Sequence, residues 1–216
     1  MKRRRTPLPL PKVAGKRRHR PLVPMRPNLP TEKPRRADAL RNRDRLLAAA
    51  LALFTEQGTD VSLETVAREA GVGVGTLYRH FPTRDALVEA VYLSELDRLH
   101  EGAAELLAEH PPEEALARWM DRFVEYAATK RGMSGALQSV IASGRNPYSQ
   151  SRTKLVEALM TLLDAGRAAG AVREDVDAED VLLAIGGIWA MPVEPGWEER
   201  ARRLLGLVMD GLRCRA

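Results

Sequence analysis

Apolar residues recur at helical spacing along the chain from residue 38 onward, and the pattern predicts an all-α protein. Leu63, Val66, Ala67 and Ala70 fall at i, i+3, i+4 and i+7, one face of a helix. Ser62 stands where it can cap that helix, and Glu64 sits in its first turn, where a carboxylate complements the helix dipole. Gly71-Val72-Gly73 breaks the pattern. Glycine takes positive φ without steric cost, so the chain can turn sharply there. A second short helix, Val74 to Phe81, turns Leu77 and Phe81 inward and shows Gly75, Thr76, Tyr78, Arg79 and His80 on its other face, until Pro82 ends it. Helix, glycine turn and short second helix make a helix-turn-helix, whose second helix enters the major groove of DNA.

A helix is expected before this unit. Asp38 to Gln57 carries a stripe of Leu40, Leu47, Ala50, Leu51 and Phe54, with Asp38 as its cap, Arg41, Arg43 and Arg45 on its early polar face, and Gly58 as its stop. After the unit, Thr83 caps a long helix to about Glu109 with Leu87, Val88, Val91, Tyr92, Leu96, Leu99, Ala103 and Leu106 on one face. Glu113 to Lys130, Met133 to Ser143 and Tyr148 to Ala169 follow as further helices, separated by Pro111-Pro112, Gly132 and Asn146-Pro147. Asp177 starts another, in which Val181 to Met191 is apolar nearly all round and is therefore expected to be buried on most sides. Trp197 to Arg213 is the last.

Charge changes the picture at one end. Residues 1–36 hold 13 Lys or Arg against one acid, Glu32, a balance of +12, whereas the remaining 180 residues hold 21 basic and 28 acidic groups, a balance of −7. Eight of the 14 prolines also lie in residues 1–36, so residues 1–35 read as a disordered basic arm that can hold DNA phosphates without reading sequence, with Arg35, Arg36 and Arg41 nearest the folded part. A start at Met25 would remove most of those cations. The single cysteine, Cys214, excludes an internal disulfide and fits a reducing compartment. No run approaches the ~20 apolar residues that span a bilayer, and the basic N-terminus lacks the apolar core of a signal peptide. A cytoplasmic, nucleoid-associated protein without a membrane partner is expected.

The stretch GVGVGTLYRHFPTRDAL, Gly71 to Leu87, closely resembles the DNA-binding signature of the TetR family of bacterial transcriptional regulators. The resemblance extends through LLAAALALFTEQG (Leu46 to Gly58) and SLETVAREAG (Ser62 to Gly71), covering roughly Arg43 to Tyr92. Gly73-Val74 depart from it, standing where many relatives have Ser-Lys. The resemblance implies a helix-turn-helix domain at 36–81 and a helical effector-binding and dimerisation domain at 82–216. It implies a homodimer on a near-palindromic double-stranded operator, a small-molecule effector, and repression released by that effector. Thr76, Tyr78 and His80 would hold phosphates, reinforced by Arg84 at a helix N-terminus, where an anion meets both cation and dipole. Gly73, Val74 and Arg79 would lie near base edges, while Ser62, Arg41 and Arg43 complete the DNA-facing set.

In the second half, Trp119, Met120, Phe123, Tyr126, Met133, Leu137, Ile141, Met160 and Trp189 come from several helices and are the candidates to line an effector pocket. Trp189, Trp197, Leu204, Leu205, Val208 and Leu212 are the candidates for a subunit interface, because two neighbouring helices with broad apolar faces end the chain. No catalytic motif, metal-ligand spacing or phosphate-binding glycine loop appears, so no enzyme, metal or cofactor is expected. An activator or a ligand-independent regulator fits the same fold, and a helical protein–protein adaptor is the alternative from another class.

Overall fold

The first helix begins earlier than its sequence pattern suggests. In the computed structural model, which describes residues 32–192 and 194–214, α1 spans Glu32–Gln57. Most of the basic arm lies outside the described residues, but 32–35, assigned to it above, are helical. Pro34 is tolerated there because first-turn amides have no intrahelical acceptor to lose. Asp38 is therefore not a cap; it lies inside the helix and pairs with Arg41 one turn on. The buried stripe is also rotated from the expected one. Leu46, Leu47, Ala50, Leu53 and Phe54 are buried, whereas Leu40 is 63% exposed.

Two seven-residue helices follow, α2 (Leu63–Glu69) and α3 (Val74–His80). Neither is long enough to stand alone in water. They are held by Val66, Ala67, Leu77 and Phe81, all buried against α1. Leu77 and Phe81 contribute about 1.5–3 kcal/mol each by leaving water. The turn between them depends on Gly71, whose φ of +60° is the left-handed region that side chains disfavour. Arg45 reaches from α1 to donate to the Gly71 carbonyl at 3.4 Å, and the Arg43 guanidinium lies 5.8 Å from the centre of the Phe81 ring.

Thr83 caps α4 (Arg84–Glu109) through the amide of Ala86, and every expected apolar position of that helix is buried. It is the spine of the second half, packing against α1, α5 (Pro112–Gly132), α6 (Ser134–Ala142) and α7 (Ser151–Ala168). The Trp119 indole of α5 donates to the Leu99 carbonyl of α4 at 2.9 Å, fixing the crossing of those helices. Next come α8 (Ala178–Gly186), a 3-10 turn at Gly187–Ala190, and α9 (Trp197–Leu212). The helix expected to continue through Met191 thus stops at the Gly186-Gly187 pair, where two residues of low helix propensity adjoin. The connector before α8 folds back on the chain end. Arg173 donates its amide to the Leu212 carbonyl at 3.0 Å, and the Cys214 amide donates to the Ala171 carbonyl at 3.1 Å. Val172 is sealed there against Gly166 of α7.

Candidate nucleic-acid interface

The face of α3 turned away from Leu77 is open. Gly73, Val74, Gly75, Tyr78 and Arg79 are exposed, with Thr76 and His80 half-buried beside them. Gly73 is the N-cap of α3 and offers no side-chain bond to its first turn. The amides there are correspondingly free of a side-chain acceptor and surrounded by little bulk, so a duplex backbone can approach closely. Arg41 and Arg43 are exposed on the same domain, on α1.

Several of the expected DNA-facing groups are engaged within the chain, Arg41 with Asp38 among them. Ser62 caps α2, accepting from the Thr65 amide at 3.1 Å. Arg84 is half-buried, with one guanidinium nitrogen 4.0 Å from Asp60 and otherwise without a hydrogen bond. Tyr78 has a partner the sequence reading missed: its phenol donates to Glu64 Oε1 across the turn at 2.9 Å. That bond lowers the Glu64 carboxyl, second to a backbone hydrogen bond, and is the main reason the Tyr78 phenol is raised. A phenol has one proton to donate, so while it serves Glu64 it cannot also serve a phosphate. The signal was available in outline, because Glu64 and Tyr78 occupy the exposed faces of two helices that a short glycine turn brings side by side.

The effector candidates range from fully buried to exposed. Trp119, Met120, Phe123, Tyr126, Met133 and Leu137 are all buried as close-packed core. Met133 also borders a groove of about 480 Å³ between α1, α5 and α9, lined besides by Phe54, Arg131 and Trp197. Ile141 and Met160 are 37% and 50% exposed. On α7 the buried face is centred on Leu155, Leu159 and Leu162, and at 100° per residue Met160 falls well off it. What the structure does assemble is a ring cluster. Phe123 and Tyr126 meet Trp189 edge-on at 6.0 and 6.2 Å between centres, and Tyr92 meets Tyr148 edge-on at 5.3 Å. At its heart the Tyr92 hydroxyl lies 2.8 Å from that of Tyr126 and 2.7 Å from that of Ser151.

The subunit-interface candidates divide. Leu205 and Leu212 belong to the chain's own core, at 3% and 4% exposure, because they point toward α5 and the body. Trp189, Trp197 and Val208 are half-buried, and Leu204 is exposed. The expectation that Val181 to Met191 is buried on most sides fails for the single chain. Leu183 stands 66% exposed on α8 and Leu207 68% exposed on α9, and neither was among the candidates.

Comparison with known proteins bears on both halves. Residues 46–91 match the family described as bacterial regulatory proteins, tetR family, and residues 111–214 match the transcriptional regulator SbtR-like C-terminal domain. A TetR transcriptional regulator from Streptomyces coelicolor is 51% identical, with a TM-score of 0.74 over 81% of this chain and 99% of that one. A TetR regulatory protein from Mycobacterium vanbaalenii is 36% identical, with a TM-score of 0.67 over 83% and 99% of the two chains. An HTH-type transcriptional regulator of Staphylococcus aureus is 43% identical over 63 residues, 29% of this chain, and the match spans about a third of that relative's length (34%).

Proposed function

Since this chain belongs to the TetR family of bacterial transcriptional regulators, we propose that it is a cytoplasmic homodimeric repressor that leaves a near-palindromic operator when a small molecule binds. The reading unit is residues 36–81, and residues 82–216 bind the effector and the second subunit. The observation that carries the reading is the open face of α3, from Gly73 to Arg79, held out by a fully buried Leu77 and Phe81. A polar, small-residue face on a rigidly seated short helix suits entry into a major groove. Exposed Leu183, Leu204 and Leu207 on α8 and α9 supply an apolar surface that a second copy would cover, placing two reading units on two half-sites.

Release follows the spine. α4 starts at the reading unit and runs through the ring cluster, so a ligand that moves Tyr92 moves the helix on which the reading unit leans. The ligand needs only to prefer the arrangement whose reading units no longer match the operator spacing. Selection of genomic fragments on the full chain, followed by gel shift with compounds added, tests this. Enrichment of a two-fold symmetric site and its release by a compound is the expected result. Binding that shows no sequence preference would overturn it.

A further inference from the structure

The ring cluster encloses a cation. The Lys130 ammonium lies 4.4 Å from the centre of the Tyr148 ring, 4.5 Å from Trp189 and 5.9 Å from Tyr92. It is half-buried, and among the described residues it has no carboxylate or hydrogen-bond partner. Burial alone acts on its proton affinity, lowering it. The position near the C-terminal end of α5 suits a positive charge, since it faces the negative pole of the helix. That accounts for a lysine at this point in the sequence but not for its enclosure by three rings, because a lysine at a helix end is free to extend into water.

Three hydroxyls are joined to this cage through Tyr92. The Tyr92 hydroxyl is in hydrogen-bond reach of both Tyr126 and Ser151, and Ser151 also acts on Tyr126, so the three hydroxyls satisfy one another. A half-buried cation without a counter-charge, set among several aromatic walls, is the complement of a small amphiphile with one negative head. An incoming cation fits poorly, because Lys130 already occupies the π faces it would need.

We propose that the effector of this regulator is a small carboxylate with an apolar body, its head paired with Lys130 and its body against Tyr92, Tyr148 and Trp189. This rests on the reading of the chain as an effector-released regulator. Trp189 is half-buried on the short turn after Gly186-Gly187, so it forms a wall at the edge of the core rather than inside it. Tyr92 lies eight residues into α4, roughly 12 Å from the helix start at 1.5 Å per residue, which puts ligand contact on the spine close to the reading unit.

Calorimetric titration of the full chain with benzoate, 4-phenylbutyrate and octanoate, each beside its uncharged amide, tests the proposal. At least one acid is expected to bind roughly tenfold or more tightly than its amide, the preference of a charge-assisted hydrogen bond over a neutral one. Lys130→Met should erase that preference while Lys130→Arg keeps it, with the urea transition of each variant confirming a folded chain. No acid-over-amide preference in the series, a preference that survives Lys130→Met, or tighter binding of octylammonium than octanoate would overturn the assignment. Gel shift on the selected fragments separates the two readings. Lys130-dependent binding that never releases DNA upholds the carboxylate site and removes its effector role. Release by uncharged compounds, indifferent to Lys130→Met, upholds the effector reading and removes this site.

Discussion

Tyr92→Phe removes a single oxygen from the middle of the chain, and the structure states what that oxygen does. It is the hub of the hydroxyl network, 2.8 Å from Tyr126 and 2.7 Å from Ser151, with the three residues 1%, 3% and 9% exposed. Phenylalanine fills the same ring site, so the cost is polar rather than a packing void. Two hydrogen bonds disappear, each worth about 0.5–1.5 kcal/mol net, and two buried hydroxyls lose the partner they share. Tyr126→Phe or Ser151→Ala deletes one bond and leaves the hub bonded to the other end. The hub variant should therefore lose about 2–3 kcal/mol and each end variant about half of that. For a chain of this length, with roughly 2–4 °C per kcal/mol, the hub variant should melt roughly 5–10 °C below wild type. Urea unfolding at one fixed protein concentration measures this, since the apparent stability of an assembling chain depends on concentration. Equal losses in all three variants, or a hub variant as stable as wild type, would refute the hub assignment.

Other expected outcomes concern the rest of the molecule. Gly166→Ala should destabilise the chain by about 1–3 kcal/mol, since a Cβ there would lie 2.5 Å from a Val172 methyl whose branched side chain has little room to turn; a neutral urea midpoint would show that the 171–173 connector yields freely. Burial holds the Tyr92 and Tyr126 phenols above their ordinary 10.0, so the folded chain keeps protons that the unfolded chain releases. The stability they protect is complete below about pH 10 and is lost as pH rises further. Lys130, lowered by burial, acts in the opposite sense, so the comparison is between wild type and the Tyr92→Phe/Tyr126→Phe double variant, whose urea midpoint should fall less steeply from about pH 9 to 11. Tyr78→Ala should weaken binding to all duplexes by roughly two- to tenfold, the worth of one neutral phosphate bond that the phenol makes on the duplex once it turns away from Glu64, while Glu64→Gln should strengthen binding by removing a negative charge from the DNA-facing side; weaker binding by Glu64→Gln in fluorescence anisotropy would mean that the carboxylate positions the phenol for DNA. Leu183→Glu combined with Leu207→Glu should convert a sedimenting dimer to monomer at micromolar concentration, and an unchanged dimer would place the subunit contact elsewhere.

The sequence by itself determined the local elements and the reading unit. Ser62, Gly71, Pro82 and Thr83 are caps and breaks that act within a few residues, and the inward positions of α4, from Leu87 to Leu106, follow a period the backbone imposes. The helix-turn-helix was legible for the same reason: its residues are contiguous, so spacing alone brings the α3 face together. What only the tertiary structure decided is which apolar residue meets which neighbour. Periodicity ranks positions around one helix, but it does not say where the next helix presses. Leu40 and Met160 therefore ended at the surface, Leu205 and Leu212 turned into the chain's own core, and Leu183 and Leu207 stand exposed. The bond from Tyr78 to Glu64 and the enclosure of Lys130 depend on how helices pack. Lys130 is drawn into its cage by rings from residues 92, 148 and 189, separated from it by 18 to 59 positions in the chain. A charged residue is ordinarily read as solvated, because hydration of an ammonium is cheap on a surface and expensive to replace. Only the packing of α4, α5 and the turn after α8 shows that here the hydration has been exchanged for aromatic faces.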